Sequence, residues 1–146
     1  MIMDLATQFS NAQAITATAV STNVIDLGAV RNIGSGEDLY LVLIVTTAFT
    51  DASSDSTVTP SLQTDDNEAF GSAATVRTYD TLAALSAAGT TRIYKLEPFT
   101  TAGIYERYIR LNYTVAGGNL STGAITAFIT KDVTTYRHYA SGFSIQ

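Results

Sequence analysis

The sequence predicts an all-β domain: an antiparallel β-sandwich or jelly roll of about eight strands, with a closed barrel as the remaining alternative. Three observations predict it. The 146 residues are rich in Thr, Ser, Val, Ile and Tyr and poor in Lys and Glu; β-branched and aromatic side chains suit a half-buried pleated surface. Residues 106–116 alternate for a full strand length, with Arg107, Ile109, Leu111, Tyr113 and Val115 on one face and Glu106, Tyr108, Arg110, Asn112 and Thr114 on the other. Period two over that length marks a strand with one buried face. Short strand-like runs also recur at even spacing, separated by turn-forming residues.

In chain order, residues 14–20 and 23–27 are the first two expected strands, the second ending at Gly28. Residues 38–47 are a continuous apolar run of the kind found in a central strand buried on both faces. Residues 56–64 alternate again, with Val58, Pro60 and Leu62 opposite Thr57, Thr59, Ser61 and Gln63. Pro60 has no N–H for a ladder bond, which puts this strand at a sheet edge or gives it a bulge. Residues 73–79 and 91–96 follow, then 106–116 and 124–131. Turns fall at 34–36, 51–55, 65–67, 88–89 and 117–119, where Gly, Asn, Asp and Ser concentrate, and residues 81–88 read as a loop. On this scheme residues 12–133 are the sandwich domain, residues 1–11 an N-terminal arm and residues 134–146 a C-terminal tail.

The strand at 106–116 makes the sharpest statement about faces. Ile109, Leu111, Tyr113 and Val115 line the core, and Tyr108, Arg110, Asn112 and Thr114 are free to meet a partner. Arg107 interrupts the apolar face at its start. Its place is therefore the sandwich rim, beside a carboxylate.

A chain of this length buries a sufficient core without staples, and it has no cysteine for disulfides or thiolate metal sites. The longest apolar run, residues 39–45, is far shorter than the roughly 18 residues of a membrane span. Residues 1–5 show neither a basic region nor a cleavable apolar segment, so no signal peptide is expected. The net charge of −5, with eight scattered Lys and Arg, argues against nucleic acid or an anionic membrane as partner, because binding a polyanion needs clustered cations.

Catalytic chemistry is thinly supplied. The one histidine, His138, lies in the terminal segment, and no serine sits in the strand-turn-helix context of a nucleophile. Gly34-Ser35-Gly36 reads as a hairpin connection, and the chain is expected to be no enzyme, with no cofactor and no metal. Asp65-Asp66-Asn67-Glu68 offers oxygen ligands of the type calcium prefers. Its spacing matches no EF-hand, and a solvated turn is the preferred reading. Tyr105, Tyr108, Tyr136 and Tyr139 would suit a sugar-stacking platform or a protein interface, and the interface is preferred because Tyr is enriched there.

Three segments together resemble a known family. Residues 1–10 (MIMDLATQFS) lead into 12–28 (AQAITATAVSTNVIDLG); later come 60–70 (PSLQTDDNEAF) and 107–115 (RYIRLNYTV). This order and spacing resembles the cement, or decoration, proteins that coat the capsids of short-tailed bacteriophages, over residues 1 to about 132. The resemblance implies a jelly-roll sandwich on the outer capsid surface of the virion, made in the host cytoplasm. It implies self-association, as a homodimer first and a trimer second, and bridging of phage major capsid protein subunits. It transfers no catalytic residues.

The expected partner interface combines the apolar anchors of the two termini with the free strand face: Ile2, Leu5, Phe9, Tyr108, Arg110, Tyr136, Tyr139, Phe143 and Ile145. Two rival functions stand beside this one. A carbohydrate-binding module predicts exposed Tyr in a groove, and another head or tail structural protein predicts few copies per particle.

Overall fold

Ten strands lie among the residues that the computed structural model describes, 4–31, 33, 36–83, 86–96 and 105–133. They are β1 (Gln8–Ala14), β2 (Ala19–Val20), β3 (Ile25–Asp26), β4 (Tyr40–Thr50), β5 (Thr57–Asp65), β6 (Ala74–Thr78), β7 (Leu82–Ala83), β8 (Thr91–Lys95), β9 (Tyr108–Ala116) and β10 (Thr122–Thr130). One sheet, A, has the order β1-β10-β4-β8. The other, B, has the order β2-β9-β5-β6, with β3 also beside β9 and β7 beside β5. Every ladder is antiparallel. β2 and β3 share one edge of sheet B, and β6 and β7 share the other. Counted as interrupted single strands, these pairs leave eight strands in the orders 1-8-3-6 and 2-7-4-5, a jelly roll.

The core lies between the sheets. Leu41, Leu43 and Val45 of β4 and Ile125 and Ala127 of β10 meet Val58 and Leu62 of β5 and Ile109, Leu111 and Tyr113 of β9. β4 is central and β9 alternates buried and open positions along its length, as their sequence patterns require. Phe49 closes one end of the core against Gly123. That glycine has φ +153, and a Cβ there would come within 2.0 Å of the Phe49 ring. The β10–β4 register slips on both sides of Ala124, which lets the strand bend around the ring.

Pro60 is not at an edge, and the irregularity that its strand does carry lies further along, where the β5–β6 register slips between Leu62 and Gln63. β5 pairs with β9 on one side, Pro60 opposite Tyr113, and with β6 and β7 on the other. The Pro60 carbonyl accepts from the Tyr79 N–H at 2.9 Å, so its missing donor points toward the break between β6 and β7. The ladder is already interrupted there, and the proline costs no bond.

Other expectations are corrected at the N-terminal end and after β6. Residues 14–20 are not one strand: Ala14 closes β1, and the chain then crosses to sheet B before Ala19–Val20. Thr18 bridges this crossing, accepting from the Val115 N–H at 2.9 Å. Residues 81–88 hold the short strand β7. The N-terminal arm expected over 1–11 is cut short, because a 3-10 turn at Leu5–Thr7, capped by Asp4, runs directly into β1. Phe9 is fully buried in the core and is therefore no external anchor. It sits at a bulge of β1 that turns the ring inward. No helix among the described residues is long and apolar enough to cross a membrane.

Candidate partner-binding face

The outer face of sheet B is made by the even residues of β9 and the odd residues of β5. The ladder sets Thr59 opposite Thr114, Ser61 opposite Asn112, Gln63 opposite Arg110 and Asp65 opposite Tyr108. Hydroxyls and amides dominate, and they bond to one another. Asn112 Nδ2 donates to Thr114 Oγ1 at 3.0 Å, and the Thr59 and Thr81 hydroxyls lie 2.9 Å apart.

At one end of this face the chemistry changes. Arg107 Nε and Nη2 donate to Asp26 Oδ1 and Oδ2, each at 2.9 Å, a bidentate pair of the strong geometry. The Arg107 bond, helped by the Gly28 N–H, holds the Asp26 carboxyl down at about 2. The same guanidinium lies 4.9 Å from the Tyr108 ring centre. Arg110 stacks 4.1 Å from the centre of Phe70 and donates from Nε to Gln63 Oε1 at 2.9 Å. Phe70 is presented by the loop after β5, with its own backbone at φ 53. Asp65 ties that loop, accepting from the N–H groups of Asn67 at 2.9 Å and Ser72 at 2.8 Å. These donors, the Asn67 N–H first, keep the Asp65 carboxyl below its ordinary range. Beside this end lies an open groove of about 470 Å³, whose walls include Leu5, Ala6, Val24, Ile25, Asp26 and Glu68. Leu5 is 72 % exposed.

The model of the Bbp16 family matches residues 9–129. The chain belongs to the Bbp16 family. That family is associated with phages. The span of the Bbp16 match runs from Phe9 in β1 to Ile129 in β10 and so takes in both sheets. No curated protein matches this Bbp16-family chain.

Of the sequence-predicted interface residues, the structure brings three into one region. Asp26 lines the groove with Leu5 and is the ladder partner of Tyr108; Arg110 follows two positions along β9. Phe9 is excluded by its burial. Ile2, Tyr136, Tyr139, Phe143 and Ile145 lie outside the described residues, as do His138, Ser35 and Gly34. Tyr105, weighed for a sugar platform, is 2 % exposed in the core. Both Asp65 oxygens already face N–H donors rather than open space, which speaks against the Asp65–Glu68 turn as a calcium loop. Arg107 has the rim position and the carboxylate that its place in the alternation requires. Sequence reasoning missed Asp26, Gln63 and Phe70. Gln63 was legible in principle, as the outward residue of β5 nearest the acidic turn, but pairing it with Arg110 needs the register.

Proposed function

We propose that this chain is a structural protein of a phage virion, a cement or decoration protein without catalytic activity. It binds the outer surface of the icosahedral capsid, self-associates as a dimer and bridges neighbouring major capsid protein subunits. The observation that carries the reading is the match of a phage-associated family model to both sheets of a jelly roll. The end of sheet B supports it: two guanidinium–aromatic stacks lie there with an exposed leucine beside them, and Arg and Tyr are enriched at interface hot spots. Contact with the capsid runs through Leu5, Tyr108 and Arg110.

Quantitative mass spectrometry of purified source particles tests the assignment. A cement protein appears at a copy number comparable to the major capsid protein; a tail or head-completion protein appears in few copies, and that result rejects the reading. Binding of purified chain to particles stripped of it then locates the contact. L5A and Y108A are expected to weaken retention without loss of fold, and full retention by the double variant moves the contact elsewhere.

A further inference from the structure

Side chains of a strand alternate between its two faces, so consecutive residues line one groove only where the strand offers it a backbone edge. The groove beside sheet B has such a wall: residues 22–26 line it without a gap, together with Leu5, Ala6 and Glu68. Among the described residues β3 pairs with β9 alone. The Leu27 N–H donates to the Arg107 carbonyl at 2.8 Å, and Ile25, two residues back, lies opposite Ile109. Bonded and unbonded pairs alternate along an antiparallel ladder. Asp26 sits between these two, opposite Tyr108, and so turns its N–H and C=O away from β9 to the open side.

An edge of this kind accepts a further strand: main-chain bonds hold it, and the flanking side chains choose the occupant. So short an edge holds nothing by backbone alone, and the side chains decide. They call for apolar contact and positive charge. Leu5 is exposed and Val24 is half-buried in the groove wall. Residues 4–30 contain Asp4 and Asp26 and no Lys, Arg or His. Glu68 is exposed and has no ion-pair partner among the described residues. Arg107, the cation that senses its charge, is already held by both oxygens of Asp26. The groove therefore keeps an unanswered carboxylate beside an uncovered leucine.

We propose that this groove takes an extended segment of the major capsid protein as a short strand beside β3, with an apolar side chain against Leu5 and Val24 and a Lys or Arg against Glu68. The inference rests on the capsid reading above and deepens it by giving the chemistry of the segment that is bound. Hydrogen exchange, resolved to single amides by mass spectrometry, compares the free chain with the chain rebound to source particles stripped of it. The Ile25 and Leu27 amides, already in the ladder, are expected to exchange slowly in both. The Asp26 amide is expected to exchange quickly in the free chain and at least ~10-fold more slowly on the particle. On the capsid side, the segment slowed by the chain is expected to carry a Lys or Arg. Glu68→Lys is expected to weaken retention at least ~10-fold, and Glu68→Gln by less. Glu68 makes no hydrogen bond or ion pair among the described residues, so both variants are expected to keep the Tm of the unaltered chain. Unchanged Asp26 exchange on particles that bind the chain, full retention by Glu68→Lys, or a slowed capsid segment without a cation overturns the inference and leaves the capsid reading standing. Slow Asp26 exchange already in the free chain overturns it too, because the edge is then occupied from within. Failure of the unaltered chain to rebind stripped particles overturns the capsid reading, and this inference with it.

Discussion

Tyr113 shows how single residues hold this sandwich together. Its ring is wholly buried between the sheets, and its hydroxyl meets the Ser10 hydroxyl at 2.9 Å, joining β9 to β1. Burial pushes the phenol up. Ser10 also donates to Gln13 Oε1 at 2.7 Å, so Tyr113→Phe leaves no orphaned serine and is expected to cost about 0.5–1.5 kcal/mol in denaturant melts. Asp26 and Asp51 act differently, through charge. The Arg107 pair lowers the first to about 2, and the Ser56 hydroxyl, with nearby N–H groups, lowers the second to about 2. Unfolded carboxyls titrate near ~3.9, so the folded chain releases these protons more readily. Their stabilisation is fully present above about pH 4 and is lost as pH falls toward about 2. Asp26→Asn and Asp51→Asn are expected to flatten the stability curve in that window, and an unaltered acid limb in urea melts counts against the assignment. Gly123→Ala combines a left-handed backbone position with collision against Phe49, and a loss of at least about 2 kcal/mol is expected in thermal melts.

Among the elements, β4 and β9 were legible, β3 falls inside the strand expected over 23–27, and most of β1, together with β2 and β7 as separate strands, was not legible. The first two are long enough for their pattern to repeat, so burial itself writes the sequence. β2 and β7 have two residues each, too few for any period, and only the register against β9 and β5 creates them. Pro60 misled for a related reason: proline announces a missing donor, but only the neighbouring strand shows that the donor had nothing to bond. The separation of faces in β9 is directly testable. Leu111 is fully buried, and Leu111→Ala is expected to cost about 2–5 kcal/mol. Arg110 is only part-buried and stacks on Phe70, so Arg110→Ala is expected to cost about 1 kcal/mol or less while weakening attachment to particles. A variant that reverses this order, stable without Leu111 and unfolded without Arg110, removes the claim that the two faces have separate duties.

For the whole molecule, the two-sheet architecture followed from composition and spacing, whereas the candidate face did not. Leu5, Tyr108 and Arg110 were visible as residue types, but their meeting depends on Asp26 lying beside Tyr108 and on a loop that delivers Phe70. Phe9 looked like its terminal neighbours in sequence and proved to be core, because a bulge decides which way that ring turns. The broken borders of sheet B carry a further consequence. One border is split into β2 and β3, the other into β6 and β7, and β1 on sheet A is bulged, with Ala12 at φ 45. An uninterrupted strand at a border is a template on which identical chains can stack into fibrils. Here three of the four borders are too short or too kinked to serve, so the chain can be crowded at high local concentration and stay discrete.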